Sequence, residues 1–421
     1  MLEKLNQEAL KGNKFCILPW IHFHAWPDGK VFPCCMADSN KPTSNTNSES
    51  IIKMMNSEEF KAMRVRMLND EPSPECQRCY DVEKFGTVSL RQSHNANRLG
   101  KMTDSLVENT NEDGSIDKFE LKYLDIRFSN ICNMKCRSCG PSCSSLWAKE
   151  YQERYSPEKL QSRFGLKKIV VSNNEDDTFW EKLVPYLNDV EEVYFAGGEA
   201  LITPEHYKIL DYWLEHNRTD VKVTYTTNLS VLRYKDKHVF DYWRKFPKVE
   251  IYASLDASGS TAEVIRKGTD WQQIEDNVNR IKKEVPHVKL EITPTISLWN
   301  AWQFPEFHQD WINRGFLTKD QDIRLNILTG PWFASLLILP EEHKKQLIEL
   351  YQPIVDDDTY SMSIRNAYRT VCNTLESGTP NKGGMREFIK FNNELDEVRK
   401  EKIVDTVPQL RELYEWAQSN D

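Results

Sequence analysis

The 421-residue chain has no long apolar run. Its longest runs, such as the one through Leu336 to Leu339, fall far short of the ~20 consecutive apolar residues that a membrane helix needs, so no membrane-spanning segment is expected. Surplus positive charge is also missing. The balance of 55 Lys+Arg against 64 Asp+Glu gives a net charge of -9, whereas nucleic acid is normally gripped by a basic face that releases counterions, so no general nucleic-acid binding is expected. Met1 to Lys14 mixes charged and apolar residues and lacks both the apolar core and the small-residue cleavage site of a secretory signal, which places the chain in the cytoplasm. No internal repeat is visible. Disorder is excluded by an aromatic content of 11%, with 12 Trp, and the length fits roughly two to three domains.

What the chain does have is cysteine. Nine of its ten cysteines fall between Cys16 and Cys143, and only Cys372 lies elsewhere. In a reducing compartment, closely spaced cysteines are metal ligands or reactive groups more often than disulfides.

The chain reads as four segments. Residues 1–95 form a small Cys-rich α+β module that contains FCILPWIHFHAWPDGKVFPCC, with Asp28-Gly29 as a hairpin turn between two apolar runs. A helix is expected over Ile51 to Leu68 from its apolar spacing, and Cys76-x2-Cys79 closes the module. Residues 96–118 form a linker whose end, NTNEDGSIDK, is polar and turn-forming. Residues 119–339 alternate strands and helices. The strand candidates are Phe119–Phe128, Glu192–Ala196, Val221–Thr226, Val249–Leu255, Val288–Ile296 and Asp322–Leu328. Helix candidates lie between them at Ser142–Glu153, Thr178–Leu187, Pro204–His216, Asp236–Lys245, Trp271–Lys283 and Trp302–Arg314. This alternation implies an α/β fold with parallel strands, and six units suit a partial barrel better than a closed one of eight, with the ligand site at the strand C-termini. Residues 340–421 form a helical extension, which reads either as a substrate cap or partner surface or as plain covering helices.

Cys132-x3-Cys136-x2-Cys139 directly follows the first of these strands, in DIRFSNICNMKCRSCG. Three thiolates so close can converge on one 4Fe-4S cluster and leave one iron open, since a cubane takes one Cys per iron. On spacing alone, a zinc knuckle or three unrelated buried thiols remain alternatives. The region resembles the radical S-adenosylmethionine superfamily, whose C-x3-C-x2-C loop follows the first strand of a partial (βα)6 barrel. Further stretches match in order. FAGGEA looks like the family's Gly-Gly-Glu motif, in which Gly197 and Gly198 allow close backbone approach and Glu199 receives the amino group of S-adenosylmethionine. TYTTNLS resembles the family's Thr-Asn turn and puts Asn228 at the cofactor's ribose or carboxylate. IYASLDAS resembles its Ser-Leu-Asp signature. The resemblance then implies that Ser254 and Arg266 bind the cofactor carboxylate, and for Asp256 and Asn228 a turn or capping role competes with cofactor binding. The family often has an aromatic residue directly before its third cysteine, where Ser138 stands here. Adenine packing is then expected near Thr295–Ile296 and Leu328. Cys143 reads as a helix thiol outside the ligand set.

Cys16, Cys34, Cys76 and Cys79 form a second set. Four cysteines can saturate an auxiliary 4Fe-4S cluster, and spacing alone also suits tetrahedral zinc. The ensemble C-x2-PW, DG-x-V-x-PCC and C-x2-C resembles the SPASM or twitch auxiliary-cluster domains of radical enzymes, placed here ahead of the barrel. Of the adjacent pair Cys34 and Cys35, the glycine spacing favours Cys34. His22 and His24 read as packing or solvent-edge residues on one face of a strand, with cluster or substrate contact as the alternative. The resemblance implies reductive cleavage of S-adenosylmethionine to a 5'-deoxyadenosyl radical that abstracts a substrate hydrogen, with a flavodoxin- or ferredoxin-like electron donor as partner. The substrate is expected to be a peptide or protein, as for SPASM-type relatives, with a small molecule such as a sugar alcohol as the twitch-type alternative. A non-catalytic iron-sulfur or zinc protein would leave the later motifs unexplained.

Overall fold

The computed structural model describes residues 14–84, 88–98, 109–164, 168–320 and 323–419. The first thirteen residues, residues 99–108 of the expected linker, the start of the Asp322–Leu328 strand candidate and the last two residues lie outside the described set. The chain divides into two compact units. The first holds Met1–Ile131, Val170–Thr224 and Lys245–Lys248, and the second holds Cys132–Ile169, Tyr225–Arg244 and Val249–Asp421.

The strands, in chain order, are β1 (His22–Ala25), β2 (Lys30–Phe32), β3 (Ser44–Asn45), β4 (Tyr123–Ile126), β5 (Lys135–Cys136), β6 (Glu192–Phe195), β7 (Lys222–Thr227), β8 (Arg233–Tyr234), β9 (Lys237–His238), β10 (Val249–Ala253), β11 (Arg266–Lys267), β12 (Lys289–Ile292), β13 (Thr295–Ile296) and β14 (Asn326–Ile327). All six strand candidates contain an observed strand and all six helix candidates an observed helix, while the helices Pro157–Phe164 and Gly259–Ile265 were not expected. The α/β class holds.

In the first unit the strand order is β3-β2-β1-β4-β6. β1 and β2 form the antiparallel hairpin expected around Asp28-Gly29, where Gly29 at φ +82° takes the left-handed conformation that glycine adopts without penalty. β1 then pairs in parallel with β4, His22 opposite Tyr123 and His24 opposite Asp125. β4 pairs in parallel with β6. The hairpin of the Cys-rich segment thus shares a sheet with the strand that leads to the cysteine loop. Side chains alternate across a strand, so Phe23, Leu124, Ile126, Val193 and Phe195 fall on one buried apolar face. Phe23 stacks there on Phe179 of the helix Thr178–Leu183. The other face carries His22, His24, Tyr123 and Asp125.

Ile51 to Leu68 is two helices, Ile51–Met55 and Glu58–Leu68. Apolar periodicity continues across the break. Ser57, however, takes an extended conformation and its hydroxyl accepts the Phe60 N–H, which caps a new helix. The described end of the linker is a tight turn in which Gly114, at φ +82°, packs on the carbonyl of Lys61, and the buried Arg64 guanidinium donates to the Gly114 carbonyl at 3.1 Å.

In the second unit β10 and β12 are parallel, β13 and β14 are parallel, and β5 pairs antiparallel with β11. The helix Trp271–Glu284 begins at Asp270, whose carboxylate accepts the Gln273 N–H, and buries Ile274, Val278 and Ile281 at helical spacing. The Asp236–Lys245 candidate shrinks to Val239–Trp243 because Arg233 to His238 form the small β8–β9 hairpin. The Ser142–Glu153 candidate begins only at Ser145, capped by Ser144, which leaves Cys143 in the preceding turn instead of in the helix. The extension is helical as predicted, with Glu341–Asp356, Met362–Ser377, Lys382–Arg399 and Gln409–Gln418 as its main helices. Cys372 is buried within the second of these.

Candidate functional site

In the second unit the cysteine loop is shaped by its own neighbours. Cys136 sits on β5 with Arg266 as its β11 partner, and the Cys139 N–H donates to the Cys136 carbonyl at 3.0 Å in a tight turn. The start of the helix Ser145–Gln152 takes up the remaining backbone groups. Ser144 Oγ donates to the Met134 carbonyl at 2.6 Å, Trp147 Nε1 donates to the Cys136 carbonyl at 2.7 Å, and the Cys132 N–H reaches Ser145 Oγ at 3.3 Å. These bonds satisfy backbone groups of the loop inside the protein. Cys132 is half-buried, Cys136 buried and Cys139 exposed. A hydrogen bond from the Cys139 thiol, followed by the Arg266 charge, holds the Cys136 thiol below its ordinary range against burial.

Arg266 is aimed at this loop. Its Nη1 lies 3.8 Å from Cys136 Sγ, and its Nε donates to Asp256 Oδ2 at 2.7 Å. Asp256 is buried and its other carboxylate oxygen accepts the Thr295 N–H at 2.8 Å. Asp256 therefore spends its carboxylate on orienting Arg266 and anchoring β13. Asn228 is similarly committed. Its Oδ1 accepts the Ser230 N–H at 2.9 Å and its Nδ2 donates to Asn133 Oδ1 at 2.9 Å, while Asn133 Nδ2 reaches Ser230 Oγ at 2.7 Å. Asn133, inside the cysteine loop, had no signal in the sequence beyond its place between two cysteines. Ser254 is half-buried and its N–H donates to the Thr227 carbonyl at 2.8 Å.

In the first unit, FAGGEA forms a left-handed turn after β6, with Gly197 at φ +81° and Gly198 at φ +51°. A Cβ on Gly197 would meet the Arg127 side chain at 2.5 Å, and one on Gly198 would run into the Ile131 carbonyl. The Glu199 N–H donates to that same carbonyl at 2.7 Å. Glu199 is 1% exposed, and its Oε1 accepts the Leu201 N–H at 3.1 Å.

Also in the first unit, Cys16, Cys34, Cys76 and Cys79 are mutual neighbours. Burial first, and then neighbouring thiolates, push the Cys34 and Cys76 thiols up to about 12. Cys16 rises for the same reasons, burial first and then Cys76 and Cys34. Cys35 points elsewhere: it is exposed, and its charged neighbours include Asp125 and Arg127. Cys16, Cys34 and Cys76, whose ionised forms are disfavoured by desolvation and by neighbouring thiolates, suit a cationic metal centre, which supplies the missing positive charge.

Among the described residues, the one set of three or more His, Cys, Asp or Glu ligand atoms within 4.8 Å of one another is His22, His24 and Asp125. A tetrahedral zinc would bring its sulfurs about 3.8 Å apart, so the four thiols stand wider than a closed zinc site. The His22, His24 and Asp125 set is itself unsuited to a metal. His24 Nε2 faces two donors, Trp26 Nε1 at 3.0 Å and Arg127 Nη1 at 2.9 Å, which places the ring proton on Nδ1, beside the Asp125 main-chain and side-chain oxygens at 3.2 and 3.1 Å. Both ring nitrogens are spent. His22 and His24 do share one face as expected, and the carboxylate between them and the barrel strand was not foreseen.

Family models match two stretches of the chain: the radical SAM superfamily over residues 126–296 and the SPASM iron-sulfur cluster-binding domain over residues 16–80. The chain carries a radical SAM domain preceded by a SPASM domain. These domains imply a 4Fe-4S cluster, S-adenosylmethionine and an auxiliary cluster. Solved structures similar to it include native anSMEcpe with bound AdoMet (17% identity, 56% of this chain and 60% of that one, TM-score 0.38). Another is TYW1 with a lysine-pyruvate adduct bound (14% identity, 52% and 70%, TM-score 0.27). The match spans about 60% of the length of anSMEcpe. No curated protein matches the sequence.

The residues present fit these groups. The radical SAM domain has three thiols on one short loop, and the SPASM domain has four neighbouring thiols, two buried and two half-buried. No helix among the described residues is long and apolar enough to cross a membrane.

Proposed function

We propose that this radical SAM enzyme abstracts a hydrogen atom from a peptide or protein and so modifies it. Cys132, Cys136 and Cys139 hold the catalytic cluster in this reading, and Cys16, Cys34, Cys76 and Cys79 hold the auxiliary one. Gly197, Gly198 and Glu199 receive the amino group of S-adenosylmethionine. Ser254 and Arg266 take its carboxylate, with Asp256 fixing Arg266 and Asn228 steadying the loop through Asn133. Bound together, the cluster and S-adenosylmethionine supply a 5'-deoxyadenosyl radical under reduction. The chain's part is to fix geometry and exclude water. Reducing electrons come from a flavodoxin- or ferredoxin-like donor in the cytoplasm.

The SPASM match at residues 16–80 carries the peptide reading, because SPASM-type relatives commonly act on peptides. A small-molecule substrate is the second reading, favoured by the single four-cysteine set where larger SPASM domains carry about seven. The test uses cell extract grown in heavy water and split into peptide and small-molecule fractions. Each is incubated anaerobically with the reconstituted enzyme, S-adenosylmethionine and dithionite. Deuterium entering 5'-deoxyadenosine from the peptide fraction supports the proposal, and deuterium from the small-molecule fraction alone overturns it.

A further inference from the structure

Between the second and third loop cysteines stands Arg137, which is fully buried. An uncompensated buried guanidinium is costly, so its partners matter. Its Nε donates to the Val264 carbonyl at 3.3 Å, Nη1 to Asn392 Oδ1 at 2.8 Å, and Nη2 to Asp396 Oδ1 and to Glu401 Oε1, the latter at 2.9 Å. Three of these four partners belong to the C-terminal extension. Each is itself fixed. Asn392 Oδ1 also accepts Trp299 Nε1 at 2.9 Å, Asp396 Oδ2 accepts the Ile403 N–H at 3.0 Å, and Glu401 Oε2 accepts Lys267 Nζ at 2.7 Å.

A second contact runs beside it. Arg399 donates to Glu150 at 3.1 Å, Glu150 pairs with Lys135 of the cysteine loop, and Arg399 lies over Trp147, 4.7 Å from the ring centroid. Across both contacts, Lys135, Arg137, Lys267 and Arg399 meet Glu150, Asp396 and Glu401, so cations outnumber anions by one. Arg137, Arg399, Glu150 and Glu401 are mostly buried and so weakly screened, while Lys135 and Lys267 are partly exposed.

We propose that Arg137 is a positioning residue for the loop cluster and that its pairing with Asp396 and Glu401 sets the cluster's reduction potential. The proposal rests on the reading that Cys132, Cys136 and Cys139 hold that cluster. Reduction adds negative charge to the loop that carries Arg137, so the guanidinium favours the reduced state and the two carboxylates oppose it. The extension is then a brace on the redox centre, in addition to any covering role.

The experiment is a redox titration of the full-length, anaerobically reconstituted enzyme, followed by electron paramagnetic resonance, with iron counted on every sample. The loop cluster is recognised by the change in its signal when S-adenosylmethionine is added, and the auxiliary cluster serves as the internal reference. Arg137→Gln should lower the loop cluster's midpoint potential, Asp396→Asn and Glu401→Gln should raise it, and Arg137→Lys, which keeps the charge, should stay near wild type. A purely structural role would instead give shifts of one sign, or cluster loss without a shift. Shifts of the same sign in Arg137→Gln and Asp396→Asn, or no shift in any variant, overturn the proposal. Should Arg137→Gln fail to fold, the two carboxylate variants decide: a rise supports it, and an unchanged or lower potential refutes it. If the wild-type loop holds no cluster, that shows in the iron count and fails the underlying reading instead.

Discussion

Gly198 stands so close to Ile131 that a Cβ would overlap its carbonyl oxygen, and that carbonyl accepts the neighbouring Glu199 N–H at 2.7 Å. Ile131 is the residue before Cys132. The Gly-Gly-Glu turn is thus docked on the backbone that leads into the cysteine loop. Gly198→Ala adds about 1–2 kcal/mol of left-handed strain to this overlap. It should lower the melting temperature and weaken S-adenosylmethionine binding, measured by equilibrium dialysis. Gly259→Ala is the control, because Gly259 has a similar φ of +54° with nothing within 4 Å of an added Cβ. Equal binding by the two variants would show that close approach at Gly198 is not needed.

The two adjacent cysteines should separate cleanly. Cys76→Ala and Cys34→Ala are each expected to lower bound iron by about four per chain, one cubane's worth, with the loop cluster retained. Cys35→Ala, at an exposed residue whose charged neighbours are Asp125, the adjacent Cys34 and Arg127, should lose none. Iron analysis after anaerobic reconstitution decides, and iron loss in Cys35→Ala would reverse the ligand assignment.

Arg266 and Asp256 form a nearly buried pair at 2.7 Å, with side chains 13% and 3% exposed. Arg266→Leu leaves a buried carboxylate without its cation and should cost about 3–5 kcal/mol in denaturant unfolding. The double variant Arg266→Leu with Asp256→Leu should recover part of that loss. An unchanged unfolding midpoint in Arg266→Leu would show that the pair does not hold β11 in place.

Acid should destabilise the fold through its buried histidines. Burial lowers His308 to about 4, where its Nδ1 lies 2.9 Å from the Tyr368 hydroxyl. Burial likewise lowers His22 to about 3 and His94 to about 4. Below the ordinary histidine value of about 6.5 the unfolded chain binds protons that the folded chain refuses. Each histidine's contribution is therefore complete above about pH 6.5 and is lost as pH falls toward its folded value, at up to about 1.4 kcal/mol per pH unit. Thermal melts from pH 7 to about 4.5 should show the decline, and His308→Gln should make it shallower. A slope unaffected by His308→Gln would refute its part.

The alternating strands and helices were legible because each element carries its own apolar period. The cysteine loop and the Gly-Gly-Glu turn were legible because they are short and local. What the sequence hid is set by distant partners. The break at Ser57 is a cap inside an unbroken apolar rhythm. The pairing of β1 with β4 joins residues 101 apart in the chain, and Arg137 meets Asn392 and Asp396, which lie 255 and 259 residues away. No local pattern marks such contacts.

One measurement bears on the whole account: 5'-deoxyadenosine formed from S-adenosylmethionine by the anaerobically reconstituted chain under dithionite, compared with Cys132→Ala. The account predicts product in the wild type, with roughly eight irons per chain from two cubanes, and none in the variant. An iron-loaded wild type that forms no 5'-deoxyadenosine, or a variant that forms as much, would contradict it.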